Sequence, residues 1–374
     1  MSDPVGVLHV VQSFSLGGAE RMAVELANRL GREEFRPALL ATRGDGPLRA
    51  EVCGDIPVLA LERRRRWDPR CFVAFRQFVK SRGIRIIHSH GPGPLQYVTA
   101  GLLPGNLGCR HVFHDHHGRA TASEPEPDPA VRLAFRTRLS AVIGVSRLAC
   151  EWAGLRMGWP AGKTFLLRNG IDTQRFTRAR PALLRQELGL RQDELILGMV
   201  ANFRWEKDHL TAFRALARSR SRERLRLLLI GGAGGSEYER ELREAAASLG
   251  IGGQVIFGGS RPNVPELLAG CDAGMLSSCR ESGPLALLEY LAAGLPLVAT
   301  RVGEIGAELP DTVGYLVAPG DADALAAALD SLASLSVEAR RAIGERGQEL
   351  ALAEYDQGHT ARRLEAIYRE VLQW

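Results

Sequence analysis

The sequence has no CxxC pair; its six cysteines, Cys53, Cys71, Cys109, Cys150, Cys271 and Cys279, are scattered along the chain. A disulfide framework is therefore unsupported, and the cysteines read as buried thiols of a reducing compartment. No apolar run approaches the length that crosses a membrane. The first residues, MSDPVGVLHVVQSF, carry acid and proline where a signal peptide carries basic residues. A cytoplasmic protein is expected. No GxGxxG turn follows the first strand-like run, and no acidic residue stands at the distance of a ribose partner, so dinucleotide binding is unsupported. Charge of one sign does not dominate either. The net charge of +5 suits an anionic small molecule or an anionic surface and specifies neither, and no nucleic-acid partner is expected.

What is present begins with length. At 374 residues the chain exceeds what one hydrophobic core usually supports, so two domains are expected. Hydrophobic residues make up 45% and charged residues 24%, ordinary for a soluble globular protein. Strand-like runs recur from end to end: VGVLHVVQ, RPALLATR, IRIIHSH, RHVFHDH and SAVIGVS, then LILGMVAN, LRLLLIGG, QVIFGG, DAGMLSS and LPLVAT. Amphipathic segments lie between them, such as GAERMAVELANRL with Met22, Ala23, Leu26 and Leu30 on one face. Near-continuous apolar strands alternating with helices predict an α/β protein whose parallel sheets are covered on both faces. The alternation breaks once, in an arginine-rich stretch around Ile171 to Thr177. We therefore expect two Rossmann-like doubly wound domains, residues 1–172 and 173–355, facing a central cleft. A last helix over about 356–374 is placed to pack back on the first domain. Ligands bind such sheets at the carboxyl ends of the strands.

Several motifs fall on those ends. Gly17 and Gly18, in SFSLGGAER, follow a strand and open a helix, so they form either an anion-binding turn or a tight turn that merely needs glycine. Six of the nine histidines lie between His88 and His117, in HSHG and HVFHDHHG. A metal site, satisfied polar histidines, and one histidine touching a sugar hydroxyl all stay open. Against a metal, no later histidine or carboxylate cluster completes a ligand shell. Arg204 and Lys207 end the first strand of the second series, where fixed cations could neutralise a phosphate, or where Lys207 merely sits in a solvated helix start beside Glu206 and Asp208. The run Arg63, Arg64, Arg65 and Arg66 is a solvated loop or a contact for an anionic membrane surface. Asp321 and Asp323 form a literal DxD, but they precede LAAALDSLASL and read as the cap and first-turn acid of a helix.

Glu281 and Glu289 stand eight residues apart in ESGPLALLEYLAAGLPLVAT. Together with HSHG, VIGVSR, RNGID and FGGSRPNVPELLAGCDAGMLSS, this stretch resembles the GT4 family of retaining glycosyltransferases, which have the GT-B fold. The resemblance covers nearly the whole chain. It implies transfer of a glycosyl unit from a nucleotide diphosphate sugar of UDP or GDP type, with retention, without a cofactor and without an obligatory metal. The acceptor class is a glycan, a lipid-linked molecule or a small molecule. Residue by residue, Gly17 and Gly18 would lie against donor phosphates or acceptor, and Lys207 would bind phosphate. The family's arginine stands where this chain has Asn202, and Arg204, two residues on, is the replacement. Glu281 would meet hydroxyls of the donor sugar, in a loop with Ser282, Gly283, Pro284 and Leu285 along the donor. Glu289 would accept from the ribose diol, and the backbone of Arg261, Asn263 and Val264 would frame the base. The histidine of the catalytic site would be His117, with its neighbour His116 as the alternative. A sugar-nucleotide epimerase of related fold, a metal hydrolase built on the histidines, and a binding protein without turnover are the rival readings.

Overall fold

The computed structural model describes residues 3–63, 65, 68–103, 105, 107–116, 129, 132–133, 135, 138–181, 183–232 and 235–373. The chain divides into two compact units, one built from Met1–Asn169 and Gln357–Trp374, the other from Gly170–Asp356.

The first unit holds a parallel sheet of seven strands. In chain order these are β1 (Val5–Ser13), β2 (Phe35–Gly44), β3 (Val58–Ala60), β4 (Ile84–His90), β5 (Arg110–Asp115), β6 (Ala141–Gly144) and β7 (Thr164–Leu166), and they lie side by side as β3-β2-β1-β4-β5-β6-β7. The second unit repeats the plan with six parallel strands. They are β8 (Leu195–Val200), β9 (Leu225–Ile230), β10 (Val255–Gly259), β11 (Ala273–Leu276), β12 (Leu297–Thr300) and β13 (Gly314–Val317), in the order β10-β9-β8-β11-β12-β13. The strand direction of travel reverses between β1 and β4 in one sheet and between β8 and β11 in the other. Those two places are where an open α/β sheet leaves a crevice at its strand ends.

Central strands are buried on both faces and mostly apolar because helices cover both faces. In β8, Leu195, Ile196, Leu197 and Met199 are all buried, and in β1 the same holds for Val7, Leu8, Val10 and Val11. Helix Gly18–Arg29 buries Met22, Ala23, Val24, Leu26 and Ala27, with Leu30 at its end. The sequence runs account for ten of the strands; β3, β7 and β13 went unread. Each lies at a sheet edge, and their residues are mostly only partly buried, which leaves no strong apolar signature.

The C-terminal helix Gln357–Gln373 belongs to the first unit and packs beside helix Gly18–Arg29. Its buried Tyr368 donates or accepts at His88 Nδ1 over 2.6 Å. Asp321 caps helix Ala322–Ser334 by accepting from the Ala324 N–H at 2.8 Å, and Asp323 pairs with Arg218, so the DxD is structural. All six cysteines are free; Cys71 and Cys109 are buried as expected, but Cys53 is exposed. Among the described residues no helix is long and apolar enough to cross a membrane.

Candidate functional site

In the second unit, two loops leave the sheet at the reversal point, one after β8 and one after β11. They are stitched together. The Cys279 N–H donates to the Glu206 carbonyl at 2.9 Å, and the Ser277 hydroxyl donates to the carbonyls of Lys207 and Asp208 at 3.0 and 2.9 Å. Asp208 is held at φ 44°, a left-handed conformation that costs a non-glycine residue free energy. Its carboxylate accepts from the Thr211 N–H at 3.2 Å, which starts the next helix and helps offset that cost. Strain of this kind concentrates where a loop must hold a side chain in place.

The side chain so held is Lys207. Its Nζ lies 2.5 Å from Glu281 Oε1, and Ser278 donates to the same oxygen at 2.7 Å. Ser278 is fixed in turn because its carbonyl accepts from the buried Thr300 hydroxyl at 2.8 Å. Sequence reasoning picked out Lys207 and Glu281 for separate jobs; the fold joins them as one partly buried ion pair. Ser277 and Ser278 were not singled out at all, and nothing in their spacing distinguishes them from ordinary strand-end serines.

Glu289 stands one turn into helix Leu285–Ala292, partly buried, between the buried residues Leu288 and Tyr290. Leu287, Leu288 and Leu291 seat the helix in the core, and Leu285 is only partly buried. Tyr290 fixes the helix's angle. Its ring lies where a Cβ on Gly274 would be, which only glycine permits. Its hydroxyl accepts from the Val200 N–H at 2.7 Å and donates to the Met275 carbonyl at 2.9 Å. Burial pushes that hydroxyl's pKa well above its ordinary value, so it stays protonated and can donate. One residue thus ties the glutamate's helix to both strands at the reversal point.

The remaining residues on this side lie further out. Asn202 and Arg204 are exposed, and among the described residues the Arg204 guanidinium has no partner. Ser282 accepts from the Glu304 N–H through its carbonyl at 3.3 Å, and the Pro284 ring starts the helix. Gly283 is partly buried in the same loop. Arg261 donates to the Gly258 carbonyl at 2.7 Å, and Asn263 and Val264 open the helix Val264–Ala269.

In the first unit, Gly17 caps helix Gly18–Arg29, and the Glu20 carboxylate lies against it. The turn that could have received an anion therefore already carries an acid of its own. Strand register brings the histidines together. His9 pairs with His88, and His90 pairs with His114, so with the period of two these side chains and that of His116 share one face. His9 Nδ1 is 3.0 Å from His90 Nε2, and His90 Nδ1 is 2.9 Å from His116 Nε2. His111 lies on the opposite face, 2.9 Å from the Ser89 hydroxyl. Burial lowers the pKa of His9 and His111 to about 3, and those of His88, His90 and His114 well below the ordinary value. The rings are neutral at pH 7. His9 escaped the sequence reading, because only the strand order makes β1 the neighbour of β4. His117 lies outside the described residues, as do Arg64 and Arg66; Arg65 is exposed, and the Arg63 guanidinium sits 4.8 Å from the centre of the Tyr97 ring.

Comparison with known proteins bears on this arrangement. Residues 16–175 match the family described as Glycosyltransferase Family 4, and residues 182–350 match that described as Glycosyl transferases group 1. An N-acetyl-alpha-D-glucosaminyl L-malate synthase of Bacillus anthracis is 34% identical over 54% of this chain and 53% of its own length, so the match spans about half of that relative. A D-inositol 3-phosphate glycosyltransferase of Stackebrandtia nassauensis is 28% identical over 98% of this chain and 86% of its own. Among solved structures, Anabaena Alr3699/HepE in complex with UDP and glucose superposes with a TM-score of 0.82 at 20% identity, covering 98% of this chain and 100% of that one. Sucrose-phosphate synthase from Thermosynechococcus elongatus gives 0.80 at 22%, covering 99% of each. Identities so low speak for the fold alone, and that fold is GT-B. With one family matched on each half, and with the paired sheets to match, the chain belongs to the group 1, family 4 glycosyltransferases.

Proposed function

We propose that this glycosyltransferase moves a sugar from a UDP- or GDP-type nucleotide diphosphate sugar to a glycan, lipid-linked or small-molecule acceptor, with retention at the anomeric carbon and with no metal in the reaction. The observation that carries the reading is the Lys207–Glu281 pair at the reversal point of the second sheet. In such a transfer the leaving diphosphate gains negative charge, and a cation already in position stabilises it without reorganising. A lysine ammonium has three donors; Glu281 occupies one, and the others are available to phosphate oxygens. Glu281 Oε1 takes both Lys207 and Ser278, which leaves Oε2 to accept from a hydroxyl of the donor sugar. Arg204 can swing to the same phosphates. Glu289 accepts from the two ribose hydroxyls as an ionised carboxylate, and the backbone of Arg261 to Val264 borders the base. Gly17, Gly18 and His116 or His117 serve the reacting sugar and the acceptor. That the Anabaena protein was solved with UDP and with UDP-glucose supports the donor class.

The reading is tested by thermal shift with a panel of nucleotide diphosphate sugars, followed by product analysis. A ligand that binds only the native state raises the melting temperature. At least one UDP- or GDP-sugar is expected to do so and to be consumed when acceptor is supplied, including in the presence of excess chelator. Interconversion of the sugar without acceptor would identify an epimerase instead. No stabilisation and no consumption across the panel would sink the assignment.

A further inference from the structure

The histidine face of the first unit holds more than the transfer reaction uses. His90, His114 and His116 bring one imidazole nitrogen each to within 4.8 Å of one another, and His9, His88 and His90 form a second such trio beneath them. We propose that the outer trio, His90, His114 and His116, is a binding site for one borderline divalent cation of the zinc class, with a fourth position open to water or an external ligand.

Two independent features support this. The first is an unmet demand for partners. Both nitrogens of the fully buried His114 have no hydrogen-bond partner among the described residues, and neither has His88 Nε2. Buried polar atoms are nearly always satisfied, and these are imidazoles on a shared face. A cation among them would occupy the lone pair of His114 and replace the proton now shared between His90 and His116.

The second feature is the line of hydrogen-bonding contacts behind His90. His90 Nε2 lies 3.0 Å from His9 Nδ1, His9 Nε2 lies 3.4 Å from the Tyr368 hydroxyl, and that hydroxyl lies 2.6 Å from His88 Nδ1. A cation on His90 Nδ1 would set the ring's proton on Nε2, where His9 Nδ1 can accept it. Metal-binding histidines are held in this way, the ring nitrogen opposite the metal donating to a fixed acceptor.

Chemistry selects the ion. Three imidazole nitrogens and no carboxylate suit zinc, cobalt or nickel, whereas magnesium and calcium require oxygen donors. Three protein ligands with a vacant fourth position is the arrangement of an open site. His116 is only partly buried and gives the cation its way in; the inner trio, which shares His90, is sealed. One cation per chain follows, since a neutral His90 would have to lose its one ring N–H proton and become an imidazolate to bridge two.

The full-length protein, stripped with chelator and desalted, is titrated with Zn2+ against a chromophoric competitor and with Co2+ by absorption spectroscopy. The expected result is one equivalent bound at micromolar concentration or tighter. Co2+ should show the intense visible bands of a four-coordinate site, and Mg2+ and Ca2+ should not bind. His114→Gln and His116→Gln should each lower zinc affinity by about a hundredfold, and His9→Gln, which removes the orienting acceptor, by about tenfold. His359→Gln, at an exposed position away from the cluster, should change nothing. If the buried His114 variant does not fold, His116→Gln at the partly buried position decides. Absence of zinc binding at micromolar concentration overturns the proposal, and so does a bound equivalent that survives both the His114 and His116 substitutions.

Discussion

The two sheets reverse their strand order in the same way, yet what stands at the two reversal points is opposite in character. In the first unit it is a column of uncharged imidazoles, hydrogen-bonded to one another and to Tyr368. In the second it is a charged pair, Lys207 and Glu281, anchored by serine hydroxyls and backbone carbonyls. Burial explains the contrast. His9 and His88 are fully buried, and a proton there would be a charge taken out of water without a counter-ion. Lys207 and Glu281 keep partial contact with solvent and carry each other's counter-charge. A doubly wound sheet therefore dictates where a ligand can sit but leaves its chemistry to the side chains that strands and loops bring there.

That contrast can be broken most forcefully with acid. His9 and His111 have folded pKa values of about 3, below the 6.5 of an exposed histidine. Between pH 6.5 and 3 the unfolded chain binds more protons than the folded one, so stability falls as pH drops through that window. By pH 5 each of these histidines is expected to cost roughly 2 kcal/mol. His88, His90 and His114 act in the same direction, while the second unit holds His209, lowered to about 4. Hydrogen exchange on the metal-stripped protein at pH 7 and pH 5 should show protection lost first in peptides of the first unit. Equal loss in both units would refute the account.

Lys207→Ala removes the positioned cation and should reduce turnover about a hundredfold, as loss of one preorganised group typically does. Unchanged turnover would leave Lys207 as a solvated helix-start residue. Somewhat smaller effects should separate the two glutamates. Glu289→Gln should weaken binding of free nucleoside diphosphate by about tenfold, because hydrogen bonds to a charged acceptor contribute about 1.5–3 kcal/mol. Glu281→Gln should leave that affinity nearly intact while lowering transfer from the whole donor. Calorimetry beside turnover reads both; equal loss of nucleotide affinity in the two variants contradicts the division of labour. The smallest change is expected from Tyr290→Phe. It strands the Val200 N–H, at a cost of about 1–3 kcal/mol measurable by urea denaturation, and it should loosen nucleotide binding only through the tilt of the Glu289 helix.

Periodicity carried the central strands and the long amphipathic helices, because apolar residues there meet a fully buried environment. It could not carry β3, β7 or β13, which are three or four residues long and pair on one side only. The spacing of Glu281 and Glu289 was legible since both lie on one local segment. The contact of Lys207 with Glu281 was not, because 74 residues separate them and only the adjacency of β8 and β11 brings them together. His9 and Tyr368 are the extreme case, 359 residues apart along the chain. Long-range contacts of this kind follow from strand order, and strand order leaves little trace in local composition.

The placement of Gln357–Gln373 in the first unit has a consequence for synthesis. The polypeptide leaves the ribosome from its N-terminus, so strands β1 to β7 emerge long before the helix that brings Tyr368 to His9 and His88. Unit two is continuous, from Gly170 to Asp356, and can complete its core while unit one still waits for its last element. Domains generally fold as units in the order they emerge; here the first to begin is expected to be the second to finish. Chains that end at Asp356 and are held on the ribosome by an unstructured linker long enough for Asp356 to clear the exit tunnel should resist protease across residues 170–356 and be cut within residues 3–169. Resistance across both stretches would show that the imidazole face needs no cover.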